Sequence, residues 1–188
     1  MAIKIYIDQG HNPYNPNAGA EGNGLREQDL VYRIGILLAE RLRANGNFDV
    51  RLSRPTPETQ IGTSNSTSLR LRVAEANAWG ADYYISLHTN SSAQSSASGS
   101  EALVFTVPSV AATLGKDILY WLNRATGLKN RGVIIRNRLY VLRKTTMPAV
   151  LVELGFITNP SDAELMNTRP DLFADGIYQG IVAYTGLA

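Results

Sequence analysis

The sequence predicts a single α/β domain built on a mostly parallel, twisted central sheet of about six strands, with helices on both faces. Three observations point there. Strand-like and helix-like patterns alternate along the chain. The run Ala149-Val150-Leu151-Val152-Glu153 is apolar up to its last residue, as in a central strand buried on both faces. The 188 residues, 44% of them hydrophobic, suffice for one domain with a substantial core, taken here as residues 1–188.

The elements follow in order. Ile3-Lys4-Ile5-Tyr6-Ile7 alternates and reads as a first strand. Residues 9–26, rich in Gly, Asn and Pro, read as a long loop of the kind that is usually functional or mobile. A helix is expected from Glu27 to Asn45, with Leu30, Val31, Ile34, Leu37, Leu38 and Leu42 on one face and Gly46 as its stop. Phe48 to Leu52 reads as a strand and 54–67 as a polar loop. Ser68 is placed to cap a helix carrying Leu69, Val73, Ala76 and Trp79, which Gly80 closes. Tyr83 to His88 reads as a strand, with Tyr83 and Tyr84 packing in the sheet and core, and 91–100 (SSAQSSASGS) as a low-complexity loop. Glu101 to Val107 is strand-like. A helix over 109–126 places Val110, Leu114, Ile118 and Leu122 four apart. Short strands are expected at Val133–Ile135 and Leu139–Leu142. The apolar run 149–153 follows, and a last helix from Asp171 to Tyr184 turns Phe173, Ile177, Ile181 and Tyr184 inward.

Composition excludes several chemistries. There are no cysteines, so there is no disulfide, thiolate metal site or cysteine nucleophile. A formal net charge of +2 is too small to argue for nucleic acid, though it is compatible with an anionic polymer. No apolar run reaches transmembrane length, so membrane insertion is not expected. The start, Met1-Ala2-Ile3-Lys4-Ile5, enters a strand pattern directly and shows no signal peptide. No repeat, linker or second module is visible. The oligomeric state stays open, with a monomer favoured.

Only two histidines occur, so each is informative. His11 follows the first strand, in Asp8-Gln9-Gly10-His11, and His88 ends the third, in Ser86-Leu87-His88-Thr89-Asn90. Glu153 ends the apolar run. In an open α/β sheet the carboxyl ends of parallel strands meet at one edge, where sites form. If these strands are neighbours, two imidazoles and a carboxylate converge there. Glu27, in the first turn of the helix after the long loop, can join them. Two neutral imidazoles and one carboxylate form a common catalytic zinc set that leaves a position open for water. The remaining carboxylate, Glu153, can then act as general base. Each residue singly has a plain structural alternative. A histidine after a strand can be a hydrogen-bonded structural residue. An acid in a first helical turn is favoured by the helix dipole. A buried strand-end glutamate can pair with an arginine. Their joint placement is what points to one zinc ion at His11, Glu27 and His88.

Ile7-Asp8-Gln9-Gly10-His11, Leu25-Arg26-Glu27-Gln28-Asp29, Ser86-Leu87-His88-Thr89-Asn90 and the stretch Met147 to Phe156 occur in an order that resembles the zinc-dependent N-acetylmuramoyl-L-alanine amidases of the type-3 amidase family. Arg131-Gly132-Val133 and Leu139-Tyr140-Val141-Leu142-Arg143 are similar to it as well. The resemblance covers nearly the whole chain. It implies that His11, Glu27 and His88 bind zinc and that Glu153 is the catalytic carboxylate. It implies a peptidoglycan substrate, cut at the amide between the lactyl group of N-acetylmuramic acid and L-alanine. It implies action at the bacterial cell wall. With no export signal visible, a phage or prophage lysin, or a trimmed chain, fits that expectation. The sequence departs from the family in one place: Asn12-Pro13-Tyr14-Asn15-Pro16-Asn17 stands where a glycine-rich stretch usually follows the first histidine.

Asn90 can support the metal group, touch substrate or simply turn the chain. Arg131, Arg136, Arg138 and Arg143 can meet stem-peptide carboxylates or form a solvated basic face. Two other readings use the same residues: a zinc peptidase cutting within the stem peptide, and a non-catalytic wall-binding module.

Overall fold

A computed structural model describes residues 2–187. Four strands run parallel: β1 (Ile3–Gln9), β4 (Phe48–Leu52), β5 (Tyr83–Asn90) and β8 (Ala149–Phe156). Two more, β6 (Ser100–Val104) and β7 (Asn130–Ile135), run parallel to each other and against β8. The sheet order is β4-β1-β5-β8-β6-β7, so the fold class expected from the sequence holds. A hairpin, β2 (Glu21–Gly22) with β3 (Leu25–Arg26), stands apart from the main sheet.

Helices cover both faces. Helix α1 (Glu27–Asn45), α3 (Val110–Thr126) and α6 (Pro170–Thr185) bury Leu30, Ile34, Leu38, Leu114, Ile118, Phe173 and Ile177 against one face. Helix α2 (Asn65–Trp79) and the short α4 (Tyr140–Lys144) pack Val73, Ala76, Val141 and Leu142 against the other. Helix α5 (Pro160–Thr168) follows β8 closely. Burying this apolar area, at about 25 cal/mol per Å², is the main drive to fold. No helix among the described residues is long and apolar enough to cross a membrane.

Several expected boundaries move. Leu139–Leu142 is not a strand: residues 140–144 form α4. Its apolar run is too short for periodicity to separate strand from helix, and Val141 and Leu142 are buried beside α2. Helix α2 is capped by Ser64, which shares a reciprocal capping box with Thr67, while Ser68 lies buried inside the helix. Val110 is half exposed, since it precedes the turn that meets the sheet. Strand β6 stops at Val104, whereas β5 runs past His88 to Asn90 and β8 past Glu153 to Phe156, so neither residue ends its strand as expected. The expected loop 9–26 contains the β2–β3 hairpin. Helix α5 was not expected, although Asn159 caps it through the Ser161 and Asp162 amides and Pro160 opens its first turn.

Candidate metal centre and active site

The parallel pairing carries the candidate residues to one rim. Gln9 lies opposite Leu87, and His88 lies opposite Glu153. His11 therefore leaves β1 next to His88, and both imidazoles meet the start of α1. One oxygen of Glu27, Oε1, lies 3.3 Å from His11 Nε2 and 3.1 Å from His88 Nδ1. The same oxygen accepts the Thr89 amide at 2.9 Å, and Oε2 accepts the Ala20 amide at 2.9 Å. The imidazole rings meet edge-on, with centroids 4.9 Å apart.

This group fits a divalent cation. Ligand atoms of His11, Glu27 and His88 all lie within 4.8 Å of one another. Tetrahedral zinc with arms of about 2.1 Å has ligand–ligand edges of about 3.4 Å. Without a cation, a single carboxylate oxygen must draw two imidazole nitrogens and an amide. Burial pushes the Glu27 carboxyl up, but hydrogen bonds from both imidazoles overcome it and hold the group well below the usual carboxylate range. Burial also works against a charged His88, yet Glu27 raises its pKa. The Glu27 carboxylate is thus held ionised between the two imidazoles.

Glycines make room for it. A Cβ on Gly10 would lie 2.5 Å from His88 Cε1 and 2.6 Å from the Leu87 carbonyl oxygen. One on Gly19 would lie 2.8 Å from Glu27 Cβ and 3.0 Å from His11 Cδ2.

Glu153 sits beside the group in register with His88 but outside it. Its Oε2 is buried and has no hydrogen-bond partner among the described residues. No arginine pairs with it among those residues, so the structural alternative of a salt bridge does not apply. Burial raises its pKa to about 7; His88 counteracts this, while Glu27 and Glu101 push it further up. A base tuned near neutrality suits proton transfer at ordinary pH.

Sequence reasoning missed what holds His11. Its φ of 65° lies in the left-handed region, which costs a non-glycine residue about 1 kcal/mol or more. Buried Arg72 stabilises that turn. Its guanidinium donates to Asp8 Oδ1 at 2.6 Å, to the Gln9 carbonyl at 2.7 Å and to the His11 carbonyl at 2.6 Å. Ser86 donates to the other oxygen of Asp8 at 2.8 Å. The signal was available, because Arg72 shares the helical face of Leu69, Val73 and Ala76.

The segment Asn12–Asn17, where the resemblance leads one to expect glycines, is pinned as well. Asn12 bonds the Pro16 and Ile61 carbonyls and the Ile61 amide, and Arg26 bonds the Pro13 carbonyl beneath Tyr14. His11 reaches the site without a glycine-rich stretch after it.

Replacing Arg72 by Met is expected to destabilise the protein by about 3–5 kcal/mol, because Asp8 stays buried with its charge uncompensated. Urea unfolding should show a lower midpoint at unchanged slope. A midpoint within error of the parent would overturn the role. The pair also carries a pH dependence. Burial pushes Asp8 up, but Arg72 and Ser86 bring it below its ordinary value. Its contribution is therefore complete above the unfolded pKa of about 3.9 and is lost as pH falls through the lower folded value.

Asn90 does not reach the metal group. It donates to Glu101 Oε1 at 3.0 Å, and Glu101 Oε2 accepts Arg131 Nε at 3.0 Å. Glu153, Asn90, Glu101, Arg131 and Arg136 line one groove of about 690 Å³, whereas Arg138 and Arg143 lie outside it.

Comparison with known proteins identifies a family for this fold. A family model described as N-acetylmuramoyl-L-alanine amidase matches residues 5–183. The amidase CwlM of Bacillus licheniformis is 34% identical over 180 residues, covering 95% of this chain and 65% of that protein. The amidase LytC of Bacillus subtilis is 37% identical over 186 residues, covering 96% of this chain and 35% of LytC. The chain thus spans about two thirds and about one third of these relatives. The solved catalytic domain of CwlV, an amidase from Bacillus (Paenibacillus) polymyxa var. colistinus, superposes with a TM-score of 0.87 at 27% identity over 99% of both chains.

Proposed function

Since the chain belongs to the N-acetylmuramoyl-L-alanine amidase family, we propose that residues 1–188 act at the bacterial cell wall as a catalytic domain that hydrolyses the amide between N-acetylmuramic acid and L-alanine of peptidoglycan, with one zinc ion held by His11, Glu27 and His88 and with Glu153 as general base. One observation supports this most directly. A carboxylate oxygen and two imidazole nitrogens converge at 3.1–3.3 Å, beside a buried carboxylate in register with His88 whose Oε2 has no partner among the described residues.

When bound, zinc lowers the pKa of a coordinated water to about 7 and polarises the scissile carbonyl. The chain's own groups do the rest. Glu153 takes a proton from the attacking water as the new carbon–oxygen bond forms. It returns that proton to the leaving nitrogen as the carbon–nitrogen bond breaks, giving a lactyl carboxylic acid and a free L-alanine amine. The Thr89 and Ala20 amides hold the Glu27 carboxylate in place, and Arg72 fixes the backbone of His11.

Two measurements test the reading together. Elemental analysis should find one zinc per chain, and digested peptidoglycan should yield new L-alanine amino ends and sugars bearing a free lactyl group. Products with amino acids still attached to muramic acid would make the protein a peptidase. Walls that sediment with the protein and stay uncut would make it a binding module.

A further inference from the structure

The reversed strands β6 and β7 bring a second set of charges to the rim. The candidate residues lie in a row across it: His11 after β1, His88 on β5, Glu153 on β8, Glu101 on β6 and Arg131 on β7. Glu101 lies directly opposite Glu153 in the antiparallel pair. Strands β6 and β7 stand one and two spacings, about 4.8 Å each, beyond β8.

Arg131 does not stay at its own strand. Its guanidinium lies 4.9 Å from the centroid of the Phe156 ring, which belongs to β8. The side chain thus leans over β6 and meets a ring that projects from the strand carrying Glu153, and both line one groove. Three contacts hold it there: Nε donates to Glu101 at 3.0 Å, Nη1 donates to the Ser98 carbonyl at 3.3 Å, and the guanidinium stacks on Phe156. Glu101 is itself only 6% exposed and is held from its other side by Asn90. A guanidinium has five N–H donors, and two are used. The other three have no partner among the described residues. Arg136 lines the same groove, and among the described residues its side chain donates only to the Ile135 carbonyl beside it.

A fixed, planar fork with free donors is the arrangement that recognises a carboxylate in two-point fashion. An arginine serving only as a structural tie would not need a groove of about 690 Å³ in front of it, shared with the proposed base. An extended peptide advances about 3.5 Å per residue. A scissile amide at Glu153 therefore puts the next residue of the leaving peptide within reach of the Arg131 head.

Resting on the amidase reading above, we propose that Arg131 is a specificity-determining residue that binds the free α-carboxylate of the second stem-peptide residue. Glu101 is its positioning residue, and Arg136 adds positive charge farther along the groove. The enzyme then prefers stem peptides whose second residue is a γ-linked glutamate with a free α-carboxyl over those in which that carboxyl is amidated.

The test uses two muramyl peptides that differ only there, isoglutamate against isoglutamine, with the zinc-loaded protein. The wild type should show kcat/KM about 10–100-fold higher on the acid, the range of one charge-assisted pair. The difference should lie in KM. Arg131→Gln should bring the ratio near one, and Glu101→Gln should lower it part of the way. Cleavage of both peptides at equal rates would overturn the inference and leave the amidase reading standing. A preference that survives Arg131→Gln would overturn the assignment to Arg131. Cleavage of neither would remove the amidase reading and this inference with it. The wild-type comparison needs no variant, so a misfolded mutant cannot obscure it.

Discussion

Glu153→Gln is expected to lower turnover by about 10²–10⁴-fold while zinc content stays at one per chain. The amide keeps the size and shape of the carboxyl, so strand β8 should pack as before. It cannot take a proton from water at neutral pH, and that is the task given to this residue. The separation from metal binding follows from geometry: His11, Glu27 and His88 gather without Glu153, which sits beside them in register. Turnover on peptidoglycan and zinc per chain should be measured on the same preparation. Full activity in the variant would remove Glu153 from the chemistry. Loss of zinc with loss of activity would instead make it a ligand.

His88→Ala should act in the opposite order. Zinc is lost first, and activity falls to background because of it. His88 brings Nδ1 to 3.1 Å from the Glu27 oxygen, and without it only two ligand side chains remain. Losing a mere supporting partner of a zinc ligand costs about 10–100-fold in affinity, so losing a ligand should exceed that. Removing the ring also leaves Glu27 with one fewer donor against burial that already pushes its pKa up. Dialysis against a weak chelator, followed by elemental analysis, should strip this variant and spare the parent. Circular dichroism on both would show that the fold survives. A variant that retains stoichiometric zinc would show that the ion lies elsewhere.

Much of this was legible in the sequence because His88 and Glu153 interrupt otherwise apolar strands and His11 and Glu27 flank elements with clear patterns. A carboxylate set inside an apolar strand stands out, as Glu153 does between Ala149–Val152 and Leu154–Phe156. Helix α1 matched its expected bounds because an apolar stripe and a stop glycine agree over five turns. Short elements were less legible. Val141 and Leu142 carry no periodicity of their own, and tertiary contact with α2 decided their helix. The support around the site was hidden for a different reason. Arg72 acts from a helix more than sixty residues after Asp8, and Glu101 matters through Arg131 and Asn90, thirty and eleven residues away. Only the folded pairing shows that those charges satisfy one another.

Strands β6 and β7 meet the rim with their first residues rather than their last. The connections that lead into them, 91–99 and 127–129, therefore overhang only one flank of the cleft, opposite the turns that follow β1 and precede α1. One jaw is tied into the sheet by a buried arginine. The other is formed by an edge strand and a serine-rich loop that Asp162 and Asn159 hold from the start of α5. Insertions or exchanges in the second jaw would retailor which peptides enter while leaving the ion cradle untouched, so this scaffold is one in which diet and chemistry can be altered separately.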